Sequence, residues 1–280
     1  MWSRRSRLAG VVAAVALAAA ATTAAAVVAP GPARAEPAPW PRRAVDRPLR
    51  LAPGMVEVRL AAELSLSAGA VGEPVAIAPD VWVGVNRRLT LGVTHSWAAR
   101  GGLGAGRGLC LGATAEVADG GCPGRYDAVA LDARFAIPAL GDDTVGLVAL
   151  DARRLSPATV ALEVGVASRW RSGDLAVVVA PVLALGLARR DLGNQERVRV
   201  PVTVQWQAAD RVALTLTTGF TSTADDLFGD LAIVVGAGAA VTVRDDLDLG
   251  VAAGLPRALG GAGQGGTDER YATAWLTWRR

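Results

Sequence analysis

Long runs of alternating apolar and polar residues, connections that alternate between short and long, and an export signal at the N-terminus together predict an all-β chain. The expected fold class is a transmembrane antiparallel up-and-down β-barrel of about 12 strands, preceded by a cleaved signal peptide. Successive side chains of a strand point to opposite faces, so each alternating run has one apolar and one polar face. In such a barrel the apolar face meets lipid and the polar face lines the lumen.

The N-terminal residues have the three-part organisation of a secretory signal peptide. Three arginines within Met1–Arg7 precede an apolar, alanine-rich run, Leu8–Pro30, and Ala33-Arg34-Ala35 provides a small-x-small cleavage site. This pattern predicts a signal peptide over residues 1–35, cut before Glu36. The apolar run is also long enough to span a bilayer, so an uncleaved anchor is the competing interpretation.

Two further segments follow the predicted cleavage site. Residues 36–53 are rich in proline and arginine, show no periodicity and are interpreted as a flexible periplasmic leader, and residues 54–280 are interpreted as the outer-membrane barrel. The whole chain has 29 basic and 26 acidic residues, a formal charge of +3, and four of the arginines lie in the signal peptide. The mature chain therefore carries about −1, which gives no electrostatic support to a nucleic-acid partner.

The clearest strand pattern is RVRVPVTVQWQAADRVALTLTTGF, Arg197 to Phe220. Valines and Trp206 alternate with arginine, threonine and glutamine up to the polar break Ala208-Ala209-Asp210, and the alternation resumes at Val212. Two such runs joined by so few residues predict a hairpin. Each arm has roughly ten residues or more, which exceeds a typical globular strand and is enough to cross a bilayer.

Ten further segments are interpreted as strands, which gives twelve together with the hairpin; most of them alternate, whereas Asp143–Arg153 does so less cleanly and Leu175–Ala188 is apolar on both faces. They are Met55–Ser67, Pro74–Asn86, Arg88–Trp97, Tyr126–Pro138, Asp143–Arg153, Ala158–Trp170, Leu175–Ala188, Leu231–Val243, Leu247–Pro256 and Glu269–Arg280. Short polar turns, such as Asn86-Arg87-Arg88 and Arg244-Asp245-Asp246, follow the even-numbered strands, and longer connections follow most of the others. This rhythm is typical of outer-membrane barrels, which have short periplasmic turns and long outer loops.

The same pattern indicates a location in the outer membrane. No segment after the signal peptide is a continuous apolar run of helix length, which excludes a helical membrane protein, and a closed barrel also satisfies every backbone group in lipid. The expected partners are outer-membrane lipid and the barrel assembly machinery. A soluble periplasmic β-sandwich or barrel would also show alternation, but it explains the long arms and the two lengths of connection less well.

Two cysteines, Cys110 and Cys122, lie in the glycine-rich stretch Gly101–Arg125. In an exported chain an isolated pair this close predicts a disulfide. The bridge would contribute about 3 kcal/mol to stability in the chain-entropy model. Two thiols and one distant histidine do not make a tetrahedral metal site, so neither a metal nor a cofactor is expected.

Seven short motifs carry a resemblance to a known class of proteins. They are Thr94-His95-Ser96, Gly108-Leu109-Cys110-Leu111, Cys122-Pro123, Arg169-Trp170-Arg171-Ser172-Gly173, Arg190-Asp191-Leu192-Gly193-Asn194, Arg199-Val200-Pro201-Val202 and Asp246-Leu247-Asp248-Leu249-Gly250. With these motifs the chain resembles uncharacterised outer-membrane β-barrel proteins of GC-rich Gram-negative bacteria. The resemblance covers most of the mature chain and implies a barrel fold and an outer-membrane location, but no substrate.

The polar faces of the predicted strands supply a candidate lumen lining. If the apolar faces meet lipid, the residues that face the lumen are Glu57, Arg59, Glu63, Asp132, Arg134, Glu163, Arg169, Arg197, Arg199, Thr203, Gln205, Arg211 and Thr215. Their mixed charges indicate either a salt-bridged wall or a pore lining with local fields. Twelve strands enclose more room than a small filled barrel and less than an open porin, so a narrow channel and a lumen plugged by the loop Ala98–Arg125 both remain open.

A catalytic site has little support in the sequence. His95 is the only histidine and Ser96 is its neighbour, but adjacent strand residues point to opposite faces and cannot form a nucleophile–base hydrogen bond. A serine from another strand, such as Ser168 or Ser222, would be required. We therefore expect His95 to have a structural role at the outer rim, and the protein not to be an enzyme.

Six tryptophans fall near the ends of predicted strands: Trp82, Trp97, Trp170, Trp206, Trp275 and Trp278. Amphipathic rings favour the boundary between membrane and water. This placement predicts aromatic girdles at the two rims of the barrel.

The function that these observations favour is a narrow passive channel for small hydrophilic solutes. The charged lumen face and the lack of a catalytic constellation are the reasons. Three alternatives stay open: a non-conducting barrel that presents a disulfide-held surface loop to a partner, an outer-membrane lipid hydrolase that depends on His95, and a soluble periplasmic β protein.

Overall fold

The computed structural model describes residues 40–67, 71–104, 106–111, 125–155, 157–260, 266 and 268–280. Within them lie four single-turn 3-10 helices, Ala44–Asp46, Ala98–Arg100, Pro138–Leu140 and Arg190–Leu192. No helix of this described part is long and apolar enough to cross a membrane. The strands are β1 (Val56–Ser65), β2 (Val75–Asn86), β3 (Leu89–Thr94), β4 (Leu109–Cys110), β5 (Val129–Ala136), β6 (Thr144–Leu155), β7 (Ala158–Ser172), β8 (Leu175–Val179), β9 (Val182–Gly186), β10 (Arg197–Ala209), β11 (Val212–Thr223), β12 (Ala232–Arg244), β13 (Leu247–Gly260) and β14 (Tyr271–Arg279).

The sheet closes on itself as an antiparallel barrel of twelve strands. Consecutive strands pair along the chain, except that β3 pairs with β5 and the two-residue β4 pairs with β2 in the same wall position as β3, and β1 pairs with both β2 and β14 to complete the circle. β8 and β9 are two halves of one strand, interrupted at Ala180 and Pro181, and both halves pair with β7 and β10. Proline has no N–H to give to the ladder, which explains this break. The predicted all-β barrel of about 12 strands is confirmed.

Turns and loops are separated between the two ends of the barrel. At one end, called the turn end, residues 87–88, 137–143, 173–174, 210–211 and 245–246 connect the strands. At the other, the loop end, the described connecting residues are 66–67, 71–74, 95–104, 106–108, 111, 125–128, 157, 187–196, 224–231, 266 and 268–270. Both chain termini of the barrel lie at the turn end, where the backbone N–H of Val56 donates to the carbonyl of Arg280 at 2.7 Å.

Apolar side chains cover the outside of the barrel. Large aliphatic residues with 39–58% exposure lie on its outward faces, for example Leu60, Leu91, Leu150, Val164, Leu216, Val251 and Leu276. Small and charged residues such as Ala61, Glu63, Ala161, Asp151 and Glu163 are buried on the inward faces. A soluble sandwich would pack its apolar faces against each other, whereas an apolar exterior around a polar interior is typical of a barrel in lipid.

The tryptophans are divided between the two faces of the barrel. Trp170 and Trp206 are exposed on the outside, as an aromatic girdle requires. Trp82 is buried, with its ring over Gly92, and Trp275 lies over the buried Gly250. Trp97 packs on glycines of a loop inside the barrel. The girdle prediction is therefore wrong for Trp82 and Trp275, because a glycine on the neighbouring strand leaves room for each indole to lie against the inner wall, and it is wrong for Trp97, which lies inside the barrel.

Some of the predictions fall on parts of the chain outside the described residues. The signal peptide over 1–35 is one of them, and Cys122 is another. Cys110 is buried in β4, which pairs with the first residues of β2. The signal peptide and the disulfide between Cys110 and Cys122 both stay predictions.

Candidate functional site

A segment between β3 and β4 leaves the wall and enters the lumen. β3 has six residues and β2 has twelve, so β3 covers only part of its neighbour. β4 pairs with the remaining part of β2, through Ala76 and Ile77. The intervening residues, 95–104 and 106–107, are called the inner loop. The predicted strand Arg88–Trp97 is therefore too long, because the chain turns inward after Thr94.

A buried carboxylate on the neighbouring strand explains this inward turn. Asp80 of β2 accepts hydrogen bonds from the backbone N–H of His95 at 2.6 Å, the N–H of Ser96 at 2.9 Å, and the hydroxyl of Ser96 at 2.5 Å. The Ser96 hydroxyl in turn accepts the N–H of Ala99 at 2.9 Å. Hydrogen bonds to an ionised acceptor are stronger than neutral ladder bonds, so the side chain of Asp80 competes successfully with continued pairing after Thr94.

Glu63 of β1 holds both arms of the inner loop. Its side chain, 1% exposed, accepts the backbone N–H of Trp97 through one carboxyl oxygen and that of Arg107 through the other, the latter at 3.4 Å. The guanidinium of Arg107 lies over the Trp97 ring, 5.2 Å from its centroid. The departing and returning arms are thus fixed to each other and to the wall.

Ion pairs connect the tip of the inner loop to the far wall. Arg100 forms ion pairs with Glu163 of β7 and with Asp151 of β6, the latter at 3.5 Å. Arg199 of β10 donates to the Arg100 carbonyl at 3.0 Å and to Glu163 at 2.7 Å. The side chains of Arg100, Asp151 and Glu163 are nearly inaccessible to solvent. Removing one partner from such a buried group typically costs about 3–5 kcal/mol.

Close approaches to other strands complete the crossing of the lumen. Gly101 has φ of +68° and lies beside Pro201 of β10. Leu103 lies against Gly236 of β12 and Gly254 of β13, where a Cβ atom would clash. The inner loop therefore contacts strands on several sides of the barrel and lies across the lumen.

A second segment, residues 40–55, covers the turn end and is called the N-terminal segment. Arg42 pairs with Asp245 at 2.7 Å, and Arg43 pairs with Asp174, so two arginines contact two different turns. Arg47 pairs with Asp248 at 2.6 Å. Residues 36–53 were predicted to be a flexible periplasmic leader. Those described here, from residue 40 onward, lie against the barrel.

An apolar cluster joins the N-terminal segment to the inner loop. Leu51 and Met55 pack with the buried Trp82, and Ala99 of the inner loop lies against the same cluster, together with Trp40 and Ala52. The N–H of Leu51 also donates to the Thr90 hydroxyl at 3.0 Å. The two segments that cross the lumen are thus in contact.

Two cavities lie on opposite sides of the inner loop. The cavity at the loop end has a volume of about 370 Å³, and the one toward the turn end has about 220 Å³. Residues common to both linings, and hence between them, are Arg100, Gly101, Glu163, Arg199 and Pro201. Among the described residues, seven arginines and four carboxylates line the loop-end cavity. That cavity therefore has a formal charge of three positive units.

The residues predicted to line the lumen occupy several different positions. Glu63, Glu163 and Arg199 hold the inner loop, and Arg197 lines the loop-end cavity. Asp132 and Arg134 line the turn-end cavity and pair at 3.3 Å. Four others make side-chain contacts: Glu57 pairs with Arg279, Arg59 contacts Trp82 and Thr277, Arg169 pairs with Asp143, and Arg211 donates to the carbonyl of Val243. The remaining three lie in the wall, where Thr203 is in register with Val178 and Thr217, and Gln205 with Ala176 and Thr215.

Several central residues were missed by the sequence analysis. Arg100 and Arg107 lie in a loop without periodicity, and Asp151 and Arg153 lie in the strand whose alternation is least clear. Asp80 of β2 was also missed. The sequence could have indicated two of them, because Asp151 and Arg153 are two residues apart and therefore share one face of the strand.

His95 has a structural environment rather than a nucleophile beside it. Its Nδ1 contacts the carbonyl of Pro79 and its Nε2 contacts the Tyr126 hydroxyl. Burial lowers the pKa of the imidazole, which favours the neutral ring that donates to Pro79 and accepts from Tyr126. The hydroxyl of Ser168 contacts Thr144. That of Ser222 contacts backbone carbonyls of its own loop.

Comparisons with known proteins give neighbours only at the level of the fold. No family model and no curated protein matches the sequence. Among solved structures, the chain is similar to a KdgM porin in complex with disordered oligogalacturonate, with a TM-score of 0.50, 6% identity, and coverage of 79% of this chain and 98% of that chain. A second structure of KdgM porin has a TM-score of 0.49, 4% identity, and the same coverage. An outer-membrane channel from Pseudomonas putida F1 has a TM-score of 0.46, 13% identity, and coverage of 81% and 94%.

Identities this low show the fold alone. It is the closed antiparallel barrel of which outer-membrane channels are one known class.

Proposed function

We propose that the protein is an outer-membrane channel for small hydrophilic solutes, with the inner loop as its constriction. The observation that carries the proposal is a charged lumen divided into two cavities by a loop held by ion pairs. A barrel with a purely structural interior would be filled by side chains of the wall. Cavities on both sides of a narrow barrier, each with charged side chains in its lining, provide the space that a solute path requires.

The exterior supports a location in the outer membrane. Apolar residues cover the outward faces, and the short turns at one end correspond to the periplasmic side of such barrels. In this orientation the N-terminal segment covers the periplasmic opening, and the loop-end cavity faces the outside of the cell. Export by the predicted signal peptide and insertion by the barrel assembly machinery complete the proposal.

A structural neighbour supports the class of solute. The KdgM porin, which shares the barrel fold, has been described in complex with an oligogalacturonate. Barrels of this architecture can therefore hold a hydrophilic, sugar-based solute. The proposal for this chain is limited to small hydrophilic solutes, because only the fold is shared.

A non-conducting barrel is the second candidate function. It is favoured by the two segments that cross the lumen, the inner loop and the N-terminal segment, which contact each other at Ala99 and Leu51. In that case the loops at the loop end would present a surface to a partner, and the barrel would serve as their support.

Single-channel recording distinguishes the two candidates. We would record from the mature chain and from a variant that lacks residues 36–53, both in planar bilayers. We expect small conductance steps from the mature chain and clearly larger steps from the variant, because the variant loses the cover of the turn end. A heat-dependent mobility shift on gels confirms that each protein is a closed barrel. Silence from both folded proteins would contradict a channel and favour the non-conducting barrel.

A further inference from the structure

The loop-end cavity contains arginines that share one face of the wall. Arg197 and Arg199 are two residues apart on β10 and therefore point to the same side. Arg153 of β6 and Arg199 both approach Glu163, at 3.7 and 2.7 Å. All three arginines line the cavity. They form a cationic group immediately on the loop side of the constriction.

Arg197 differs from the other two arginines in its partners. Arg153 and Arg199 have carboxylate partners on the wall. In the described part of the chain, no carboxylate pairs with the side chain of Arg197, and its Nε is buried without a hydrogen-bond partner. A guanidinium is always charged and offers five donors. A buried donor that lacks an acceptor destabilises the protein, so this group is suited to an acceptor that comes from outside.

The charge of the cavity indicates the sign of that acceptor. The described lining has seven arginines and only four carboxylates, and the low dielectric of a narrow lumen increases the attraction for a counter-ion. The volume of about 370 Å³ lies within the usual range for a small-molecule site. Arginine forks bind carboxylate and phosphate groups with two parallel hydrogen bonds.

We infer that the loop-end cavity contains a binding site for the oxyanion group of a small solute, with Arg197 as the principal ligand and Arg153 and Arg199 beside it. This inference deepens the proposed channel function and rests on it for its biological role. A solute that enters from the loop end meets Arg197 before it reaches Arg100. The site therefore selects acidic hydrophilic solutes ahead of the constriction.

The binding test compares two sugars that differ in charge. We would titrate the full mature protein in detergent with glucuronate and with glucose by calorimetry, and repeat this with R197Q and R197K. Glucuronate should bind and glucose should not, and R197Q should weaken glucuronate binding about tenfold or more. R197K should fall between the two, because lysine keeps the charge and loses the fork. The matched control is R171Q, which removes an exposed arginine that pairs with Asp143 outside both cavities.

The outcomes separate this site from the channel itself. Equal binding of the two sugars, or glucuronate binding that R197Q and R171Q change equally, would overturn the site. In planar bilayers, a wild-type reversal potential that favours chloride and shifts toward neutrality in R197Q is the expected companion result. Conductance without any anion preference would overturn the site and leave the channel intact. Glucuronate binding at Arg197 without conductance would support the site and refute the channel.

Discussion

The inner loop and the N-terminal segment both cross the lumen, but different interactions hold them. The inner loop is held by carboxylates that the barrel buries almost completely, Glu63, Asp80, Asp151 and Glu163. The first part of the N-terminal segment is held by surface pairs. The side chains of Arg42 and Asp245, for example, are 56% and 54% exposed.

This difference indicates different mobilities for the two barriers. An exposed ion pair contributes about 0–1 kcal/mol, because water and salt screen it, whereas loss of one partner of a buried pair costs about 3–5 kcal/mol. The inner loop is therefore the more firmly held of the two, and the N-terminal segment is a cover whose first part, residues 40–46, is the more easily released. Its firmest points are the buried Asp248, which binds Arg47, and the cluster around Leu51.

The largest expected effect comes from removing a charge that holds the inner loop. E163Q keeps the size of the side chain but leaves Arg100 and Arg199 without their shared carboxylate. We expect a loss of about 3–5 kcal/mol in the free energy of unfolding, measured by urea titration in lipid vesicles. The control is E196Q, which breaks the pair with Arg190, a residue that is largely exposed. Equal losses of unfolding free energy in the two variants would mean that the buried ion pairs of the inner loop contribute no more than the exposed pair between Arg190 and Glu196.

A smaller effect, on the rate of trypsin cleavage, is expected when salt screens the exposed ion pairs of the N-terminal segment. Trypsin cuts after arginine, and both barriers contain arginines, Arg42 and Arg43 in one and Arg100 and Arg107 in the other. Raising NaCl from 0.1 to 1 M shortens the screening length from about 10 to about 3 Å. We expect cleavage after Arg42 and Arg43 to accelerate by up to about fivefold per pair, and no cleavage in the inner loop. Mass spectrometry of the fragments identifies each site.

A double variant provides the control for the salt experiment. D174N/D245N removes the partners of Arg43 and Arg42 and should give fast cleavage already at 0.1 M NaCl. Its cleavage rate should then depend little on salt. If trypsin cut the inner loop before the N-terminal segment, the inner loop would be the less firmly held of the two, which would contradict this comparison.

The barrel wall was predictable because its signal is local. Alternation in Arg197–Phe220 and in most of the other segments reports the two faces of each strand without knowledge of the partner strand. All twelve strands were predicted, although Asp143–Arg153 alternates less cleanly and Leu175–Ala188 is apolar on both faces. The break at Pro181 was less accessible, since the sequence shows a proline but not whether the strand continues beyond it.

The inner loop was not predictable because long-range contacts create it. Alternation continues past Thr94, and nothing nearby marks the end of β3. The end is determined by Asp80, which comes from the neighbouring strand, and by Glu63, two strands back along the barrel. The inward tryptophans depend in the same way on register, because Trp82 faces Gly92 only when β2 and β3 are aligned.

The smallest expected effect is a pH dependence of stability that arises from His95 in the inner loop. Burial lowers the pKa of His95 in the inner loop from its ordinary value of 6.5. At this residue the unfolded chain then binds more protons than the folded one between that lowered pKa and 6.5, so His95 contributes a loss of stability as pH falls from about 7 to 5. H95Q should lack this contribution, so in urea titrations the stability of the wild type relative to H95Q should decrease over that range. A slope that H95Q leaves unchanged would assign it to another group.

Asp245, the turn residue that pairs with Arg42 of the N-terminal segment, titrates in a separate range. The hydrogen bond from Arg42 lowers the pKa of Asp245 below its ordinary value of 3.8. Because the pKa of the bound state is the lower one, the ion pair contributes fully above pH 4 and is lost as pH falls through that lowered value. Trypsin is inactive in such acid, so pepsin cleavage near residue 40 is the measurement, and it should increase only below about pH 4. The pair between Arg42 and Asp245 therefore adds nothing to the slope between pH 5 and 7.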